Sequence, residues 1–79
     1  MKTEAFVAIL EDILQVPKGS LGMEDGPKTV KTWDSMAGVT ILATIDAEFH
    51  CELSDELLSK MTTVGGIIQV LKSQGVLQD

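Results

Sequence analysis

Apolar residues near the start of the chain recur at helical spacing. Phe6, Ile9, Leu10, Ile13 and Leu14 fall at i, i+3, i+4, i+7 and i+8, one stripe along a helix, with Glu4, Glu11 and Asp12 off it. Thr3 is the expected N-cap, its hydroxyl accepting a free amide proton of the first turn. Val16-Pro17 closes the helix, because the residue before a proline is pushed out of the α region. From Pro17 to Trp33 no helical period survives. Gly19, Gly22, Gly26 and Pro27 punctuate this stretch, Lys18, Lys28 and Lys31 sit in it, and apolar residues recur singly at Leu21, Met23, Val30 and Trp33. The pattern predicts a long ordered loop pinned by those four side chains, with one short helical turn around Ser20 to Met23.

Asp34-Ser35 opens a second helix, with Asp34 as its cap. Winding residues 35 to 49 at helical pitch puts Val39, Leu42, Ile45 and Phe49 on one face. Gly38 lies beside them, where a neighbouring backbone has room to approach. The opposite strip holds Met36, Thr40, Ala43 and Ala47, small and uncharged. His50-Cys51-Glu52 breaks the period. Ser54-Asp55-Glu56 then starts a short third helix with Leu57, Leu58 and Met61 facing inward. Thr62-Thr63 caps the last helix, whose stripe is Val64, Ile67, Ile68 and Leu71, with Lys72 and Gly75 as its C-terminal signals. Gly65-Gly66 in its first turn costs about 1 kcal/mol per residue in propensity, so packing must hold this helix. The glycines either open space for a bound chain or allow close contact, and the sequence does not choose. The reading is an all-α, four-helix single domain over residues 1–79, with a long first loop and a short third helix.

Composition narrows the function. A chain of 79 residues buries only about 60% of its unfolded surface, which argues against a deep enclosed active site. Twelve acids against six lysines give a formal charge of −6. That balance argues against nucleic acid or an anionic membrane as partner and favours a basic protein surface. The single cysteine excludes an internal disulfide framework and fits a reducing compartment. Acid at Glu4 and the break at Glu11-Asp12 argue against a signal peptide and a membrane span, so the expected location is cytoplasmic. The chain is also expected to be a monomer.

Catalytic constellations are poor. His50 and Cys51 are the only histidine and thiol, but chain neighbours point in different directions, and a nucleophilic pair needs an orienting third group and oxyanion donors. Cys51 reads as a small semi-buried residue and His50 as a solvated one. Glu24-Asp25-Gly26 lacks the alternating oxygens and closing glutamate of a calcium loop. No metal site and no enzyme activity are expected. Ser35 has the best physical case. A phosphate ester on its hydroxyl would lie against the free amides and positive dipole end of a helix. Taken alone, an acid–hydroxyl pair also begins many helices with no further role.

At this point the sequence resembles a family. Asp34-Ser35-Met36, Val39, Leu42, Ile45 and Glu48-Phe49 are similar to the Asp-Ser-Leu segment and second helix of acyl carrier proteins. Glu52-Leu53, Asp55-Glu56, Lys60-Met61-Thr62-Thr63-Val64 and Ile68 follow in the family's order. The likeness spans essentially the whole chain. It implies that Ser35 is the attachment point of 4′-phosphopantetheine, transferred from coenzyme A by a phosphopantetheinyl transferase. The arm would carry an acyl group as a thioester for acyl ligase or synthase enzymes of fatty acid, polyketide or other lipid metabolism. It also implies recognition of partners through Asp34 and Met36, with Glu48 and Glu56 in lesser roles. Val39, Leu42, Ile45, Phe49, Ile68 and Leu71 would form the core and any apolar sleeve for the cargo.

Departures from the family pattern point to a specialised member. General fatty-acid carriers hold several acids along the exposed face of the second helix. Here Ala37, Thr40 and Ala47 stand at such places, while Asp34, Asp46 and Glu48 remain. The outer strip of Met36, Thr40, Ala43 and Ala47 suits docking by shape and apolar contact more than by charge. Trp33 either anchors the loop, the favoured role, or lies beside the arm. An aminoacyl or peptidyl carrier is the alternative within the class. An unmodified helical adaptor for an amphipathic partner helix is the alternative outside it.

Overall fold

The stripe of Phe6, Leu10 and Leu14 is what turns the first segment into a buried helix. In the computed structural model, which describes residues 1–50 and 62–78, α1 spans Thr3–Leu14 and these three side chains are fully enclosed. Ile9 and Ile13 are half-buried on the stripe's flank. Lys2, not Thr3, occupies the cap position, and no side chain caps this end. Thr3 is instead the first helical residue. Its amide and hydroxyl both donate to the Gln78 carbonyl, at 2.7 and 3.0 Å, so the end of the chain takes over the capping role.

α1 stops in a left-handed turn at Gln15 (φ 57°). The Gln15 amide donates to Asp12 O and the Val16 amide to Glu11 O, which satisfies two of the helix's orphan carbonyls. Pro17 then prevents resumption. A glutamine in this conformation carries a Cβ penalty that glycine avoids. Gln15→Gly is therefore expected to raise stability by about 0.5–1 kcal/mol, measured as a higher urea midpoint at unchanged slope.

The segment to Trp33 is a loop of successive turns with no helix, so the expected turn of helix at Ser20–Met23 is absent. The anchors are three of the four expected. Trp33 is buried, Leu21 and Val30 pack against the core, but the Met23 side chain faces solvent. Met23 anchors through its backbone, because its carbonyl accepts the Gly65 amide at 2.8 Å. Glu11 corrects the amphipathic reading of α1. It is only 3% exposed, and one carboxylate oxygen accepts from Gly19 N (2.7 Å) and Leu21 N (3.2 Å). The acid is enclosed although it lies off the apolar stripe, because the loop's backbone folds over it.

α2 spans Ser35–Phe49 and α3 spans Val64–Ser73. The expected inward face of α2 is displaced. Ala37, Ile41 and Ile45 are buried, followed by half-buried Phe49, whose ring sits 5.9 Å from that of Phe6 at 48°. Val39 and Leu42 are exposed at 64% and 38%. The cause lies in the sequence of this helix, which is apolar on most sides, so periodicity alone does not select a face. Trp33 and α1 select it by packing. A Cβ at Gly38 would meet nothing within 4 Å among the described residues, so none of their backbone approaches there.

α3 follows its stripe: Val64, Ile67, Ile68 and Leu71 are all buried. Thr63 caps it by accepting from Gly66 N at 3.0 Å. Val64 N donates to Asp25 O and Gly65 N to Met23 O, each at 2.8 Å, so the first loop completes the capping of this end. Gly65 thus serves close contact, since a Cβ there would lie 3.0 Å from Met23 O. At the other end Gly75 is left-handed, with its amide on Lys72 O and that of Val76 on Leu71 O. The described residues form an all-α arrangement of three helices, with no strand among them and a single bridge between Lys2 and Gln78. Among the described residues no helix is long and apolar enough to cross a membrane. The segment expected to form the short third helix, with Ser54, Glu56, Leu57, Leu58 and Met61, lies outside the described residues, as does Cys51.

Candidate functional site

Asp34 sets the site's geometry. Its backbone is extended, and its carboxylate accepts from Ala37 N at 2.9 Å, closing the cap expected from the sequence. Gly38 N donates to the Asp34 carbonyl at 3.0 Å. The amides of Ser35 and Met36 remain as the unclaimed donors of the first turn among the described residues. Ser35 is the first helical residue and is exposed. Its hydroxyl makes no hydrogen bond to a described residue. A nucleophilic oxygen here is reachable by another protein and sits where a helix favours negative charge.

The chain before Asp34 is firmly tied. Thr32 Oγ1 donates to Leu14 O at 2.6 Å, Trp33 N to Val30 O at 3.0 Å, and Asp34 N to Thr32 O at 3.0 Å. Trp33 is 6% exposed and belongs to the core, which is the loop-anchoring role favoured for it. It also lines a cleft beside Ser35. This cleft, of ≈ 300 Å³, is bounded by Trp33, Ser35, Gly38, Val39, Ile41, Leu42 and Ile67. Its wall is mostly apolar, and Ile67 brings α3 to it. Val39 and Leu42, expected in the core and in any apolar sleeve, lie outside the core and line this cleft. Ile41, Ile67 and Gly38 were missed as lining, because the contact between α2 and α3 is tertiary.

The other expected site residues divide. Met36 is 75% exposed, and Thr40, Ala43 and Ala47 are exposed with it, so the small uncharged strip faces solvent. Asp34, Asp46 and Glu48 are exposed too. Ala37 is buried and does not belong to that outer surface. Ile68 and Leu71 are enclosed in the core and do not line the cleft. Glu56 lies outside the described residues. His50 is exposed, and no group of three metal-binding side chains occurs among the described residues.

Farther along the loop, Asp25 accepts from Gly22 N at 2.7 Å and from the Thr29 hydroxyl at 2.9 Å. These two donors, the amide foremost, hold its carboxyl below the ordinary aspartate value. A lowered acid stabilises the fold above its unfolded pKa and loses that contribution as pH falls through the folded one.

No protein-family model matches the chain, and no curated protein matches it. The site's chemistry therefore rests on its own residues.

Proposed function

We propose that the protein is an acyl carrier protein, modified at Ser35 by 4′-phosphopantetheine, working in a specialised lipid, polyketide or secondary-metabolite pathway. The observation that carries this reading is an exposed serine hydroxyl at the first position of α2, behind a formed aspartate cap and beside an apolar cleft. The site's residues fit the group. Ser35 Oγ would hold it as a phosphate ester, with the Ser35 and Met36 amides as donors for the phosphate oxygens. When bound, the arm supplies a thiol on which an acyl group is carried as a thioester. The protein itself anchors and presents that group and performs no bond chemistry of its own. Val39 and Leu42 offer apolar surface to the cargo.

In this reading the fold is the four-helix carrier bundle with a long first loop and a short third helix. The protein acts as a cytoplasmic monomer. Its partners are a phosphopantetheinyl transferase and acyl ligase or synthase enzymes. Asp34, Met36, Glu48 and Glu56 form the recognition surface.

Intact-mass spectrometry tests the assignment. A promiscuous phosphopantetheinyl transferase and coenzyme A should add one arm to the wild-type chain and none to Ser35→Ala. The variant should unfold at the same denaturant concentration as wild type, since the lost hydroxyl bonds no described residue. Unchanged wild-type mass beside a modified control carrier would favour the adaptor reading.

The partner contact is proposed to be apolar. Met36 and Val39 stand exposed one turn apart on α2, flanked by the uncharged Thr40 and Ala43. A carboxylate placed there would be desolvated on docking without a partner. Met36→Asp is expected to weaken binding of the cognate enzyme about fivefold to a hundredfold, a penalty of about 1–3 kcal/mol. Raised salt should change binding little. Binding that is lost in salt but indifferent to Met36→Asp, measured by calorimetry, would show charge-led docking instead.

A further inference from the structure

We infer that Thr32 is a positioning residue for Ser35, tying the start of α2 to the end of α1. The inference rests on the carrier reading above. Leu14 ends α1, and its carbonyl is one of the four that a helix leaves without an internal acceptor role. The Glu11 and Asp12 carbonyls of this end are taken by Val16 N and Gln15 N. The Leu14 carbonyl is taken by the Thr32 hydroxyl at 2.6 Å, across 18 residues of sequence. Thr32 is therefore not a generic loop residue. It bonds to the residue whose side chain is among the most deeply buried in the molecule.

From that fixed point the chain has little freedom before the site. The Thr32 carbonyl accepts Asp34 N at 3.0 Å, Trp33 between them is inserted in the core, and Asp34 closes onto Ala37 N. Three successive residues thus hold Ser35 by a hydroxyl, an indole and a carboxylate. Without the first tie, the segment entering α2 would have to be ordered when the transferase binds. Ordering of that kind weakens association and leaves the bound complex unchanged. The expected signature is a higher KM for the carrier at an unaltered kcat.

The test compares wild type, Thr32→Val and Thr32→Ser as substrates of a promiscuous phosphopantetheinyl transferase with coenzyme A, together with amide hydrogen exchange on the unmodified proteins. Valine keeps the branched shape and removes the donor, and serine restores the donor. Thr32→Val should raise KM about three- to tenfold at unchanged kcat, the equivalent of one lost hydrogen bond. Thr32→Ser should return it to the wild-type range. Exchange at the Ala37 amide should quicken in Thr32→Val while that at Ile67 and Leu71 stays as in wild type, which a global loss of stability would not reproduce. Equal KM for wild type and Thr32→Val, or exchange that quickens evenly through α3, overturns the role of Thr32. A wild-type chain that takes no arm, beside a control carrier that does, overturns the carrier reading and this role with it.

Discussion

Glu11→Ala is expected to destabilise the fold by roughly 3 kcal/mol, read as a lower urea midpoint with the slope preserved. The carboxylate is almost wholly enclosed, and one of its oxygens receives both Gly19 N and Leu21 N. Alanine removes that acceptor and leaves two partly buried amides with no protein partner. An unsatisfied buried donor costs about 1–3 kcal/mol, and two of them act at the point where the chain leaves α1. Glu11→Gln separates the acceptor from the charge. Its amide oxygen still reaches both donors, so the loss should fall to about 1 kcal/mol. A Glu11→Ala midpoint equal to that of Glu11→Gln would mean that water replaces the carboxylate at both amides. Local exchange at Gly19 and Leu21 would reveal the same substitution.

The fate of Glu11 shows what kind of information the sequence carries. Helices α1 and α3 are legible because apolar and polar residues segregate around them, and Phe6, Leu10, Leu14, Val64, Ile67 and Leu71 end up enclosed as their spacing predicts. The Asp34 and Thr63 caps are legible because each closes on an amide three residues ahead. Such bonds depend only on local chain geometry. The face of α2 is not legible, since Met36, Val39, Ile41, Leu42 and Ile45 surround the helix and the burial of Ile41 over Leu42 is decided by neighbours. Glu11 reads as a solvated acid for the same reason. Its partners lie eight and ten residues onward and reach it only after the loop has folded back. At the candidate site, Ser35 and its cap were visible, whereas the α3 contribution to the cleft through Ile67 was not.

Gly26→Ala should cost about 3 kcal/mol, the upper part of the range for inserting a group into a filled space. Gly26 is buried, and a Cβ on it would fall well inside contact distance of the Thr62 carbonyl oxygen, just before α3. Neither side yields readily. The Gly26 carbonyl accepts Thr29 N and Val30 N, its amide donates to Thr29 Oγ1, and the adjoining Asp25 carbonyl caps Val64 N. Moving the loop away breaks the caps on Val64 and Gly65 together, so the clash and the lost bonds act in the same direction. Gly65→Ala provides the contrast. Its Cβ would meet Met23 O at 3.0 Å, a contact relieved by a shift of a few tenths of an ångström, and alanine gains about 1 kcal/mol in helix propensity. That variant should therefore lose much less, with the two compared by urea unfolding. Because Ile67 lies one turn into α3 and lines the cleft, Gly26→Ala should also disturb the cleft from the α3 side. On the carrier reading, Ser35 should still accept the arm at temperatures where the variant is folded, since the clash lies at the first loop and the start of α3. A Gly26→Ala protein as stable as wild type would show that the loop slides off α3 at little cost, and that water serves the Val64 and Gly65 amides as well as the Asp25 and Met23 carbonyls do.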